Sequence, residues 1–443
     1  MARRGRRKKL PQEIVTASIE GLSHEGRGIA RIDGKTVFID GALTGETVGF
    51  QYTRQNKKYD EAKTIDVISA SADRVEPACA HFGICGGCSM MHMSSAAQLS
   101  HKQATLAEHF SHFGQLQPQT WLPPLTGPVA GYRRKARLGV KYVVKKQQVL
   151  VGFREKGSPF LADLQHCEVL DPRVGQQLMS LRELIASLDA FDRIAQIEVA
   201  MDDEHVALVF RNLDPLSDND KQALLRYGQQ HDFWVYQQPG GPDSVSALWP
   251  ESPQLSYAPE AGLQLNFNPG DFTQVNARIN ESMIQRALQL LDVQAGDRIL
   301  DLFCGLGNFT LPLARRVTEV VGVEGDKALV EHARNNATLN QLSNAEFELA
   351  DLTQTELQDY PWAAKGFNKI LLDPPRSGAF EVLHQLADLG AERLVYVSCN
   401  PATLARDAGE LVNRYGYTLE AAGIMDMFPH TSHVESIAVF NKR

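Results

Sequence analysis

The sequence predicts an α/β protein built from a small amino-terminal β-barrel, a mixed central α/β region and a doubly wound parallel sheet. Three observations predict it. Residues 10–68 contain five short alternating runs (IVTASIEGL, GRGIARI, KTVFI, ETVGFQYT and EAKTIDVI) separated by Gly and Asp turns, a pattern that suits an OB-like barrel. Residues 130–267 mix strand and helix patterns, after a Pro-rich connector near 118–128. From about residue 268, apolar strands (DRILDLF, EVVGVE, FELAD, NKILLD, RLVYVS) alternate with helical stretches, which indicates a Rossmann-like sheet with helices on both faces.

Composition narrows the function. The chain has 443 residues, 43% hydrophobic and 22% charged, as expected of an ordinary globular protein. No run approaches the roughly 18 apolar residues of a membrane helix. The basic start MARRGRRKKLPQEIV has no apolar stretch behind it, so a cytoplasmic protein is expected. The net charge is −8, from 45 Lys and Arg against 53 Asp and Glu, yet the basic residues are localised. Residues 1–9 hold six Lys/Arg and no acid, and residues 131–156 hold nine against the single Glu155. Such stretches suit polyanion binding, and they make Arg133, Arg134 and Lys135 candidate phosphate contacts. The competing reading is a disordered tail plus the solvated face of a hairpin.

The segment DRILDLFCGLGNF (297–309) is a strand, a turn with Gly305 and Gly307, and a helix start. The third Gly of the dinucleotide fingerprint is replaced by Asn308-Phe309, which argues against a dehydrogenase. Glu324 ends the next strand, 19 residues after Gly305, where an acid can hydrogen-bond ribose hydroxyls. Asp351 and Asp373 end the third and fourth strands. Ligands of open α/β sheets bind beyond the strands' carboxyl ends, so Asp301, Glu324, Asp351 and Asp373 should converge on one nucleoside crevice. S-adenosylmethionine fits it better than NAD, because no pyrophosphate cradle is present. In DPPR (373–376), Arg376 replaces the aromatic residue of amine-methylating enzymes.

The fifth strand, RLVYVSCNP, ends at Cys399, and the last, HVESIAVFNKR, begins at Glu435 after His430 and His433. A thiolate is a strong nucleophile and can add to C6 of a uracil, making C5 electron-rich enough to take a methyl group. A base must then remove the C5 proton so that the sulfur leaves. Cys399 is the expected nucleophile and Glu435 the base, with His430 and His433 as rivals. Cys304, in the cofactor turn, reads as a packing residue. Cys79, Cys85, Cys88 and Cys167 have the spacing C-x5-C-x2-C plus a distant fourth, which suits either zinc or an iron–sulfur cluster. His81 and His166 are alternative ligands, and Met90, Met91 and Met93 read as packing.

The motifs FNPGDFTQVN (267–276), DLFCGLGNF (301–309), LLDPPRSG (371–378), SCNP (398–401) and HVES (433–436) carry a family resemblance. The chain resembles the RNA uracil-C5 methyltransferases, and among them the bacterial branch acting on uracil 1939 of 23S ribosomal RNA. The resemblance covers nearly the whole chain, including a barrel that looks like a TRAM domain. It implies that Gln274, Phe303, Asn308, Glu324, Asp351 and Asp373 contact S-adenosylmethionine, with Cys399 as nucleophile and Glu435 as base. It also implies a [4Fe-4S] cluster on Cys79, Cys85, Cys88 and Cys167. Four parts are then expected: a basic tail (1–9), an RNA-binding barrel (10–68), a cluster-bearing central domain (69–92 and 127–267) and a methyltransferase domain (93–126 and 268–443). The expected partner is 23S ribosomal RNA, met by a monomer. Transfer RNA or another ribosomal RNA site as substrate, and a non-catalytic RNA-binding assembly factor, are the alternatives.

Overall fold

A computed structural model of the chain describes residues 10–352, 354 and 356–443. The basic tail at 1–9 lies outside the described residues. The chain divides into two units, one running to Lys102 and including Pro429–His433, the other comprising Gln103–Phe428 and Val434–Arg443.

The first unit holds β1 (Val15–Ser18), β2 (Gly21–Leu22), β3 (Gly28–Ile32), β4 (Lys35–Asp40), β5 (Thr47–Gln55) and β6 (Tyr59–Ser69). Their order is β1-β5-β6-β4-β3-β2. The run expected as one strand, IVTASIEGL, is broken at Ile19-Glu20. Its first half pairs with β5 and its second with β3, which closes the sheet on itself. Inward residues of the alternating strands (Val37, Ile39, Val48, Phe50) form its core. Met90, Met91 and Met93 are buried, as packing residues should be.

In the second unit, β7 (Thr120–Trp121) precedes a six-stranded sheet of β8 (Ala136–Val143), β9 (Gln148–Gly152), β10 (Ile194–Met201), β11 (Val206–Asn212), β12 (Phe233–Gln237) and β13 (Ser246–Trp249). The order is β13-β12-β11-β10-β8-β9, so the basic stretch forms the β8–β9 edge hairpin. The helix Asp218–His231 makes the crossover between parallel β11 and β12, and a Ser217/Asp220 capping box starts it. A short hairpin, β14 (Leu255–Tyr257) and β15 (Leu265–Phe267), leads into the remaining region.

That region is an eight-stranded sheet: β16 (Arg298–Leu302), β17 (Glu319–Glu324), β18 (Ala345–Leu349), β19 (Lys369–Leu372), β20 (Arg393–Ser398), β21 (Tyr417–Met425) and β22 (Glu435–Lys442), with β7 at one edge. The order β18-β17-β16-β19-β20-β22-β21-β7 reverses direction between β16 and β19, the switch point where such sheets bind ligands. β16 to β20 are parallel, and β22 inserts antiparallel between β20 and β21. The central strands are continuously apolar because both faces are covered. The helix Ala277–Leu291 packs with Ile299, Val395 and Ile437, and on another core Val330 and Ala333 pack with Leu306 and Phe347. Trp234, Tyr236 and Phe267 join this second core and tie the central sheet to the cofactor half.

Candidate active site

β16 delivers the chain to the switch point, and the turn after it is shaped for a ligand. Phe303 takes a left-handed backbone, φ 65°, immediately before the turn, and its N–H donates to Val323 O at 2.9 Å. Gly307 is also left-handed, φ 90°, and a Cβ there would sit 3.3 Å from the Phe347 ring. Asn308 is clamped by a reciprocal amide pair. Its Nδ2 donates to Asn280 Oδ1 at 2.9 Å, while its Oδ1 accepts from Asn280 Nδ2 and from the Tyr257 hydroxyl, both at 3.0 Å. The turn is thus preorganised by a helix and a hairpin on either side of it.

Glu324, the last residue of β17, folds its carboxylate over the same turn. It accepts from Gly305 N at 3.1 Å, Gly325 N at 2.7 Å and Asp326 N at 3.0 Å. Asp373 follows β19 directly and is half-buried. Burial raises its carboxyl to about 7. Asp351 lies two residues beyond the end of β18 rather than in the strand, and is exposed; Ala350 N donates to Glu324 O at 3.1 Å beside it. Asp301 does not line an open crevice as the sequence pattern suggests. It is fully buried, and Thr310 Oγ1 donates to its Oδ2 at 2.5 Å, while Oδ1 has no partner. Burial first, then the charges of Asp373 and Glu324, raise it to about 7. The glycine turn, with the Glu324 carboxylate folded over it and Asp373 at the neighbouring strand end, fits a polyhydroxylated nucleoside donor.

Cys399 follows β20, and the next residue, Asn400, caps the helix Pro401–Asn413 by accepting from Ala402 N at 3.2 Å. Asn400 Nδ2 also donates to Arg376 O at 2.9 Å, which fastens the DPPR loop to the turn that carries Cys399. Behind it, Asp407 Oδ2 accepts from the Tyr396 hydroxyl at 2.7 Å and Ala379 N at 2.8 Å. Glu435 opens β22. Ser398 pairs with Ser436 in antiparallel register, so the next positions outward, Cys399 and Glu435, stand opposite each other. Burial, and then Glu435 and Asp373, push the Cys399 thiol up to about 11, against the opposing pull of Arg376. The resting sulfur is therefore protonated at neutral pH. Cys304, the rival, is buried in the core, as its reading as a packing residue requires. His430 is held within the first unit: its N–H donates to Gln98 Oε1 at 2.9 Å and its carbonyl accepts from Ser89 N and Met90 N.

The comparisons with known proteins agree with this geometry. A TRAM domain model matches residues 8–64, and a tRNA (Uracil-5-)-methyltransferase model matches residues 260–443. The chain is 57% identical over 443 residues to the 23S rRNA (uracil(1939)-C(5))-methyltransferase RlmD of Nitrosococcus oceani, covering 100% of this chain and 99% of that protein. It is 56% identical to the RlmD of Alkalilimnicola ehrlichii, over 99% of this chain and 98% of that one. The chain belongs to the 23S rRNA (uracil(1939)-C(5))-methyltransferase family. Its fold is also that of the Pyrococcus abyssi tRNA (uracil-54, C5)-methyltransferase crystallised with S-adenosyl-L-homocysteine. The two share 22% identity with a TM-score of 0.74, covering 96% of this chain and 99% of that one. The fold is that of a methyltransferase preceded by a TRAM domain.

For this member of the family, the basic stretch requires a correction. Arg134 Nη2 pairs with Asp203 at 2.7 Å, Arg133 Nε donates to Lys135 O at 3.0 Å, and Lys135 Nζ donates to Pro269 O at 3.0 Å. Each of the three is half-buried and has a partner within the protein. Burial lowers the Lys135 ammonium, with Glu198 and Asp271 opposing. Exposed positive charge on the same segment sits instead at Arg137, Lys141, Lys145, Arg154 and Lys156.

Gln274 is half-buried, two residues before Asn276, whose side chain caps the helix Ala277–Leu291. Cys79, Cys85 and Cys88 are half-buried thiols of the first unit, and Gly87 N points at Cys85 Sγ from 3.4 Å. Cys167 belongs to the second unit, where its N–H donates to Gly175 O at 2.9 Å. Among the described residues, no group of three or more His, Cys, Asp or Glu is arranged to hold a metal ion. His166 pairs with Glu168 at 3.2 Å. No helix among the described residues is long and apolar enough to cross a membrane.

Proposed function

We propose that this chain transfers the methyl group of S-adenosylmethionine to C5 of a uridine in 23S ribosomal RNA, at the position equivalent to uracil 1939, through a covalent adduct on Cys399. What supports the reading most is the β20–β22 register, which faces Cys399 with Glu435 at the sheet edge that also carries Asp373. The Cys399 sulfur adds to C6 of a base swung out of its stack, and the ring becomes an enolate. C5 then takes the methyl group. Glu435 accepts the C5 proton, the C6–S bond breaks, and the electron pair returns to the sulfur. Because burial and the nearby carboxylates push the thiol up to about 11, it must give its proton to water as the uracil arrives, before the sulfur adds to C6; Arg376 is the nearby cation that favours the thiolate.

When bound, the donor supplies an electrophilic sulfonium methyl. Gln274, Phe303, Asn308, Glu324, Asp351 and Asp373 would hold it, and the acids Glu324, Asp351 and Asp373 fit its ribose and cationic sulfur. We also read Cys79, Cys85, Cys88 and Cys167 as ligands of a [4Fe-4S] cluster. The donor set supports this, with three thiols in ten residues and one backbone N–H directed at a sulfur, together with the family resemblance. The cluster takes no part in the proposed steps. The TRAM barrel is read as an RNA contact, and the protein as a cytoplasmic monomer.

The decisive experiment incubates the purified chain with labelled donor and either 23S ribosomal RNA or transfer RNA, then maps the labelled nucleotide. Label on one uridine of the 23S species, abolished by Cys399→Ala, is expected. Label on transfer RNA alone moves the substrate. Label that survives Cys399→Ala overturns the mechanism.

A further inference from the structure

The connector between β15 and the helix Ala277–Leu291 is fastened more heavily than a loop of its length requires. At its start, Lys135 Nζ reaches across from the residue just before β8 to two carbonyls, Pro269 O at 3.0 Å and Asp271 O. The Asp271 carboxylate accepts from Asn268 N at 2.6 Å and lies 3.0 Å from His332 Nδ1, while Asn268 Nδ2 lies 3.2 Å from His332 Nε2. At its end, Arg134 N donates to Val275 O at 2.9 Å, and Arg133 bridges Asn276. Between these anchors the chain arches outward. Phe272 there is 71% exposed, and Gln274 is half-buried.

A surface lysine normally keeps its ammonium in water and buries only its stem. Here the ammonium itself is taken out of solvent and spent on main-chain carbonyls, although Glu198 and Asp271 lie close enough to attract it. Carbonyls have a fixed position, so bonding to two of them specifies the path of the loop in a way that one flexible carboxylate partner would not. The helix that follows carries Asn280, the partner of Asn308 in the cofactor turn. The fastened arch and the turn are thus successive parts of one rigid support.

We propose that Lys135 is a positioning residue for methyl transfer, bracing the 268–276 arch so that Gln274 is presented to the methyl donor in a fixed orientation. The proposal rests on the reading of Gln274 as a donor contact. It assigns to Lys135 a role distinct from phosphate binding, although it lies in the most basic segment of the described chain.

The test uses the full-length protein with Lys135→Met, which keeps the stem and removes the charge, and with Lys135→Arg. Binding of S-adenosylhomocysteine is measured by calorimetry, and binding of a 23S fragment is measured across a salt series. Lys135→Met is expected to weaken S-adenosylhomocysteine about tenfold while the salt slope for RNA stays unchanged, and Lys135→Arg to restore part of the loss. A salt slope smaller by about one with intact S-adenosylhomocysteine affinity would make Lys135 a phosphate contact and overturn the brace. Unchanged binding of both also overturns it. Should Lys135→Met not fold, His332→Ala removes the opposite fastening and must move the same affinity in the same direction. Gln274→Ala with unaltered S-adenosylhomocysteine affinity would remove the proposed route through the arch. Wild-type protein that methylates no 23S uridine, alongside a Lys135→Met defect in S-adenosylhomocysteine binding, would refute the proposed function and leave the brace standing.

Discussion

The two halves of the eight-stranded sheet build their contributions in opposite ways. In the parallel half, β16, β17 and β19 run in one direction, and each places its candidate site residues at or just past its carboxyl end: Phe303 and Asn308, Glu324, and Asp373. In the other half, β22 runs against β20, so the last turn of one strand meets the first residue of the other, and Cys399 faces Glu435. In the parallel half neighbouring strands both leave the crevice at the same end, whereas an antiparallel pair brings the end of one strand beside the start of its neighbour. Reversing one strand supplies that opposition. On the proposed function, the parallel half is a general seat for a nucleoside donor, and the antiparallel insertion brings the chemistry specific to one reaction.

That contrast predicts different failures in the two halves. The largest belongs to the antiparallel half: Cys399→Ala should abolish methyl transfer while S-adenosylhomocysteine still binds, and residual turnover above the uncatalysed rate would break the division. Glu435→Gln should slow resolution of the adduct by about 10²–10⁴-fold, the usual worth of a general base. It should also accumulate a protein–RNA species that survives denaturing gels; release of unmodified RNA without that species would point to another base.

The charge of Glu435 can be separated from its base role in the absence of RNA. Alkylation of the Cys399 peptide, followed by mass spectrometry, should rise about tenfold per pH unit from neutral pH and level off near about 11. Glu435→Gln removes a neighbouring negative charge and should shift that profile to lower pH. An unshifted profile would mean that the two residues do not sense each other.

In the parallel half, Glu324→Ala should weaken S-adenosylhomocysteine by about ten- to a hundredfold, from loss of charge-assisted hydrogen bonds, and leave Cys399 alkylation unchanged. The smallest effect concerns Asp301. Its pKa is raised from 3.8 to about 7 in the folded chain, so its contribution to stability is complete below pH 3.8 and is lost as pH rises through 7. Asp301→Asn lacks this titration, so thermal melts of the variant should improve relative to wild type between pH 5 and pH 8. Parallel melting curves would show that the carboxyl is not held protonated by the fold.

The strand-end residues were legible because position along a buried strand dictates direction. Glu324, Asp373 and Cys399 each follow an apolar run at the edge where ligands bind, and Glu435 precedes one. What sequence position does not reveal is the depth of a side chain below the surface. Asp301 obeys the same pattern as its neighbours, yet the Thr310 hydroxyl and the covering turn leave it no access to solvent. Local charge density misled in the same manner. The Arg133–Lys135 cluster resembles a phosphate-binding patch until its partners arrive from residues 203, 269 and 271, which no local window contains. The edge strand β7 escaped for the same reason: two residues of a Pro-rich connector become a strand only because Ala421 and Ala422 lie alongside them.

Phe303 carries a consequence for the evolution of the chain. An aromatic residue in left-handed geometry costs roughly 1–2 kcal/mol that glycine would avoid. A variant with glycine there would relieve that strain but lose the ring that the proposed function sets against the donor. Selection for hardiness alone would therefore drift toward glycine at this spot, and the persistence of a ring among descendants of this gene would measure how strongly catalysis, rather than folding, governs the position.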